Sequence, residues 1–92
     1  MHMFFFWLIM SEAIKREADM LREARRSKGL TQQEVAMRVG MDVKNYQRLE
    51  YGQRGIDKTF MKTGLALCLV LGLDPMVLVF GEGYNAEDVF KK

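Results

Sequence analysis

The sequence predicts an all-α domain, a compact bundle of five short helices preceded by an apolar amino-terminal arm. Three observations lead there. Good helix-capping residues stand ahead of apolar positions with helical spacing at Ser11, Thr31, Asp42, Asp57 and Asp74. Glycines follow at Gly40, Gly52 and Gly72, where a left-handed residue ends a helix. The chain has 92 residues, 49% of them apolar, and a single proline, so it can bury one core and has no linker for a second domain. The expected boundaries are an arm at 1–10, a domain at 11–81 and a carboxy-terminal tail at 82–92.

Each element has a local reason. Ser11, with Glu12 close behind, caps a first helix running through Ile14, Ala18, Leu21 and Arg25. Thr31 and Glu34 have the spacing of a capping box, and Leu30 can staple to Val35, so a second helix runs from Gln32 to Gly40. Asp42 caps a third, with Met41 and Tyr46 in the staple positions and Gly52 closing it. Asp57 is expected to cap a fourth that spans Phe60, Met61, Leu65, Leu67 and Leu71, with Gly72 beyond. Asp74-Pro75 opens a short fifth, because proline is favoured at the first helical position. The β-branched run at 76–80, MVLVF, admits a strand as the alternative. GEGYNAEDVFKK then reads as a turn and tail, with a short helix at Ala86 to Phe90.

Residues 29–52 are the most informative stretch. Two capped helices joined by a tight glycine turn form the layout in which one helix buttresses and the next enters the DNA major groove. On the third helix Tyr46, Leu49 and Glu50 are spaced i, i+3, i+4 and should face inward. Val43, Lys44, Gln47 and Arg48 are left outside, with Asn45 at their edge. Lys and Arg donate to guanine O6 and N7, Asn and Gln pair with adenine, and Val touches a thymine methyl. Lys and Arg on an exposed helix usually do no more than meet solvent; the matching buttress helix and turn favour DNA here. Charge agrees. Residues 11–62 hold twelve Lys/Arg against eight Asp/Glu, whereas 63–92 hold two against four, so basic charge gathers around the reading unit. Arg54 and Lys58, just after it, suit phosphate contacts.

The segment LREARRSKGLTQQEVAMRVGMDVKNYQRLEYG resembles the phage-repressor/Cro (XRE-type) helix-turn-helix family. The matching pieces are LRxxR at Leu21 to Arg25, GLTQxEVA at Gly29 to Ala36, Gly40, and RLExG at Arg48 to Gly52; the likeness extends from residue 14 to about 80. It implies a repressor-like five-helix domain whose second and third helices read DNA. It assigns base reading to Val43, Lys44 and Arg48, joined by Asn45 and Gln47 from the helix face, and phosphate binding to Gln32, which also braces the third helix. Gln33, Tyr51, Arg54 and Lys58 complete the expected phosphate set. Arg25 and Glu50 match a structural ion pair. The fifth helix commonly builds the dimer contact, which here points to Val77 and Phe80, with simple core packing as the alternative. Four departures stand out: Tyr46 replaces an aliphatic residue, Tyr51 a small polar or basic one, Gly52 to Leu71 is about three residues longer than usual, and MHMFFFWLIM has no counterpart.

That arm places eight apolar residues in a row, Met3 to Met10. A membrane span needs about 20, and the basic lead and small-residue cleavage site of a secretory signal are missing. Such a patch needs cover from its own domain, a partner or a second copy. As a strand it reaches about 26 Å, enough to pair with its twin, so Phe4, Phe5, Phe6 and Trp7 join the expected dimer interface. An upstream start ahead of a natural Met10, or vector residues at Met1-His2, is the alternative.

The remaining chemistry is sparse. One cysteine, Cys68, excludes an internal disulfide, suits a reducing cytoplasm and reads as a core residue; the single histidine, His2, cannot build a zinc site. No phosphate-binding glycine loop and no nucleophile–histidine pair point to an enzyme, and no cofactor is expected. The expectation is therefore a cytoplasmic regulator, a repressor by preference, binding double-stranded DNA as a homodimer on an inverted repeat. The alternatives are an antitoxin or restriction-modification controller that also holds a protein partner such as a toxin, and a protein-interaction module without DNA.

Overall fold

The computed structural model describes residues 11–85 and residue 87. The helices are α1 (Glu12–Ser27), α2 (Gln32–Val39), α3 (Val43–Glu50), α4 (Met61–Leu71) and α5 (Pro75–Phe80), with a 3-10 turn at Ile56–Lys58. No strand occurs among the described residues, and none of these helices is long and apolar enough to cross a membrane. The arm at 1–10 lies outside the described residues, as does all but Glu87 of the helix expected at 86–90.

Local chemistry accounts for most boundaries. Ser11 Oγ accepts from the Ile14 amide at 3.1 Å, opening α1. At α2 the capping box closes in both directions: the Glu34 amide donates to Thr31 Oγ1 at 3.1 Å and the Thr31 amide to Glu34 Oε1 at 2.9 Å. Gly40 ends that helix at φ 74°, where a Cβ would be strained, and the Met41 amide then returns to the Ala36 carbonyl. Asp42 accepts from the Lys44 amide at 2.8 Å to start α3. Asp74 accepts from the Met76 amide at 2.9 Å and Pro75 occupies the first turn, so residues 76–80 are helical despite their β-branched content.

The expected cap at Asp57 is corrected. Asp57 lies inside the 3-10 turn, and α4 opens only at Met61, from Phe60, with no side-chain cap. Thr59 and Phe60 are extended between the two, which carries Asp57 away from the α4 amides. The turn is held instead by a residue distant in sequence: Glu17, buried on α1, accepts from the Ile56 amide at 2.9 Å.

The core forms where α1 packs on α3 and α5, and α2 on α3 and α4. Leu21, Val35, Tyr46, Leu49, Leu67 and Leu78 are its largest fully buried apolar members. Cys68 is buried among them, and burial, then Asp74, raises its thiol pKa, which disfavours the reactive thiolate. Arg16 ties the two ends of the domain together: its Nη2 donates to the carbonyls of Val79 at 2.8 Å and Leu78 at 3.2 Å, at the carboxy-terminal end of α5 where a cation is favoured.

Burial pushes the Glu17 carboxyl above the ordinary carboxylate range; the Ile56 amide and Arg16 oppose this, and Asp57 adds to it. A raised folded pKa contributes stability that is full below the unfolded pKa and is lost as pH rises through the folded one. Glu17→Gln, which keeps an acceptor for Ile56, is therefore expected to match the wild type in acid and to become the more stable protein toward neutral pH. Urea unfolding at a series of pH values reads this directly; a constant difference between the two proteins would refute it.

Candidate nucleic-acid interface

The site is built outward from one carboxylate. Glu50, the last residue of α3, has no solvent exposure. An isolated buried charge is costly, so its partners decide whether the helix end can stay there. Arg25 on α1 donates from Nε to Oε2 at 2.6 Å and from Nη2 to Oε1 at 3.1 Å. Tyr46, one turn earlier, donates its hydroxyl to Oε2, and Gln32 on α2 donates from Nε2 to Oε1 at 3.0 Å. Burial by itself would raise the Glu50 pKa, but the bonds from Arg25, Tyr46 and Gln32 outweigh it and hold the carboxyl below its ordinary value. The bond to Glu50 holds Arg25 above its own, while burial, followed by Glu50, pushes the Tyr46 phenol up.

Further bonds extend the clamp. Arg25 Nη1 donates to the Leu30 carbonyl at 3.0 Å, and Arg22 Nη1 to the Glu50 carbonyl at 3.1 Å while Nη2 pairs with Asp19. Gln32 Oε1 accepts from Gln47 Nε2 at 3.0 Å, and its Nε2 lies 3.3 Å from the Tyr51 hydroxyl. The first three helices therefore meet at Glu50. Tyr46 now has a reason: an aliphatic residue there would fill the core but could not donate to the carboxylate.

The outer face of α3 is smaller than its spacing suggests. Lys44 and Arg48 are exposed, and Arg48 Nη1 donates to Asn45 Oδ1 at 2.8 Å, one turn back. Val43 is half-buried and packs against the core, and Gln47 is turned to Gln32. Lys44, Asn45 and Arg48 thus form the outward set, while Val43 and Gln47 are partly engaged within the domain.

Polar clefts adjoin this helix at both ends. One, of about 330 Å³, brings Asn45 together with Arg54 and Lys58 beside Asp42 and Thr63. The other, of about 440 Å³, is lined by Arg22, Arg26, Thr31, Gln32 and Tyr51. Gln32 and Tyr51 therefore share a cleft, and Arg54 and Lys58 share the other. Gln33 belongs to neither; it borders a shallow depression of about 230 Å³ with Met37, Met41 and Val43. Arg22 and Arg26 are additions that sequence reasoning missed. Their i, i+4 spacing on α1, beside Arg25, was the available signal. Of the expected dimer residues, Val77 is half-buried and Phe80 exposed on α5, and Phe4, Phe5, Phe6 and Trp7 lie outside the described residues.

A family model described as helix-turn-helix matches residues 21–75, more than half of the chain and every side chain that meets the Glu50 carboxylate. Comparison with curated proteins and with solved structures returned no match.

Because the clamp is buried, removing one partner strands the other. Arg25→Ala is expected to cost about 3–5 kcal/mol near neutral pH. A lowered folded pKa contributes stability above the unfolded value that is lost as pH falls through the folded one. Protonation of Glu50 relieves the stranded charge in the variant, so the difference from wild type should shrink as pH falls. A loss under 1 kcal/mol, or one independent of pH in urea unfolding, would show that the pair does not hold α3 in place.

Proposed function

The chain belongs to the XRE-type helix-turn-helix family of DNA-binding transcription regulators, and from that premise we propose that it reads a specific double-stranded sequence as a homodimer. The observation that carries the reading is the presentation of Lys44, Asn45 and Arg48 on a helix whose inner end is braced at a buried carboxylate. A reader must place its side chains at fixed depth against base edges, and a helix tied to two neighbours does so without further ordering.

In this reading α3 lies in the major groove. Lys44 and Arg48 donate to guanine, Asn45 addresses adenine, and Val43 and Gln47 contribute through the edges they leave at the surface. Phosphates fall to the two clefts, with Gln32 and Tyr51, joined by Arg22 and Arg26, on one side and Arg54 and Lys58 on the other; Gln33 supplies a contact at the start of α2. Backbone contacts set register and orientation and leave sequence to the helix. The dimer forms through α5, with Val77 and Phe80 at its centre, and two-fold symmetry sets half-sites about 34 Å apart. Occupying a promoter in the cytoplasm then excludes polymerase, which makes the protein a repressor. No cofactor takes part.

Selection of binding sites from a random duplex library at two salt concentrations tests this. An inverted repeat with affinity falling steeply in salt is the expected result; no enrichment at either concentration would overturn it. On the selected site Arg48→Ala should cost about 1–3 kcal/mol and relax preference at one base pair, whereas Arg54→Ala should weaken all sequences alike and lower the salt slope by about one. Equal weakening by Arg48→Ala on selected and random DNA would refute base reading.

A further inference from the structure

Arg54 and Lys58 are joined by a turn whose own attachment lies elsewhere in the domain. Both side chains are exposed and line the cleft beside Asn45, and among the described residues neither is paired with a carboxylate. Gly55 and Ile56, between them, are buried. The turn closes through the Lys58 amide to the Gly55 carbonyl at 3.1 Å and the Thr59 amide to the Ile56 carbonyl at 3.0 Å. Just upstream the Gln53 amide donates to the Arg48 carbonyl at 2.8 Å, which ties the start of the connection to α3. The Ile56 amide has a different partner, the Glu17 carboxylate of α1 at 2.9 Å.

On the DNA reading above, we propose that Glu17 is a positioning residue for phosphate binding, setting the roll of this turn so that Arg54 and Lys58 face one cleft and Asp57 another. The turn sorts charge. Arg54, Asp57 and Lys58 fall within five consecutive residues, and the cations serve a phosphate only where the carboxylate is kept away from it. Arg54 and Lys58 line the cleft beside α3, whereas Asp57 lines the apolar groove between α4 and α5. The anchor is central. Ile56 lies two residues from each cation, and its side chain is buried as well as its amide held, so each cation stands within a backbone span of about 7 Å from a fixed point. The approach to α1 is close. A Cβ on Gly55 would meet the Asp57 carboxylate and lie 3.7 Å from Glu17 Oε1, so a side chain there would crowd both. Asp42, the other carboxylate at the cleft, is engaged in capping α3. Without its acceptor the Ile56 amide would be buried and unmet, and the turn would have to rotate or open to reach water.

Glu17→Met removes the acceptor while keeping the length of the side chain, and Glu17→Gln keeps the acceptor. On duplex DNA, Glu17→Met should lower the slope of log affinity against log salt by about one to two, the share of the two cations. Preference among base pairs should stay as in the wild type, and Glu17→Gln should keep the wild-type slope. Arg54→Ala should cost little more in the Glu17→Met protein, because both changes act on one contact. A general loss of stability would reduce the amount of active protein and leave the slope where it was, so the slope separates positioning from folding. Should Glu17→Met lose its helical circular dichroism, Glu17→Asp, one methylene shorter, makes the same test. An unchanged slope in the folded variant would overturn the proposal, as would an Arg54→Ala cost equal in both backgrounds; wild-type binding would still fall with salt, and the DNA reading would stand. A wild type with no salt-dependent affinity for any duplex would sink that reading, and the role of Glu17 with it.

Discussion

Burying the Glu50 carboxylate constrains everything around it. A charge without solvent contact must be met on both oxygens, and the partners that meet it come from α1, α2 and α3 itself. Those bonds are directional, so they fix the position and roll of α3 more tightly than apolar packing would, since apolar contacts tolerate small rotations. Tyr46 contributes to both kinds of contact, filling the core with its ring and donating from its hydroxyl. Arg25 reaches beyond the carboxylate to the Leu30 carbonyl, which pins the α1–α2 turn to the same point.

The outward face of α3 inherits this geometry and is narrowed by it. Gln47, outward by helical spacing, turns its amide to Gln32, and so helps to hold the helix on which it sits. Arg48 is steadied by Asn45, which leaves a long side chain less entropy to lose in any further contact. The polar clefts gather arginines and a lysine from α1 and from the 51–60 connection, elements far apart in sequence. These clefts form only when the whole domain is assembled, and not from the helix-turn-helix alone.

Two buried carboxylates hold the domain, with opposite responses to pH. Glu50 is met by a cation and two neutral donors and is kept ionised; Glu17 meets one backbone amide and is pushed toward its neutral form by burial. The difference follows from where each lies. Glu50 organises α3 against α1, while Glu17 anchors the 3-10 turn that leads to α4, so acid favours one tie as it weakens the other. Beyond that turn an apolar groove of about 460 Å³ lies between α4 and α5.

What the sequence determined by itself were the features set by residues within about four positions of one another. The caps at Ser11, Thr31, Asp42 and Asp74, the stop at Gly40 and the inward triad of Tyr46, Leu49 and Glu50 all follow from helical spacing and side-chain chemistry, and the structure contains them. The Arg25–Glu50 pair was legible only through family likeness, since nothing local links residues 25 apart. Tertiary structure alone decided the rest. Asp57 has the chemistry of a cap but lies in a turn fixed by Glu17, 39 residues from Ile56. The second role of Tyr46, the inward turn of Gln47, the cleft holding Arg22 and Arg26, and the α4–α5 groove arise in the same way. Each depends on which helices face one another, and a spacing rule describes one helix at a time.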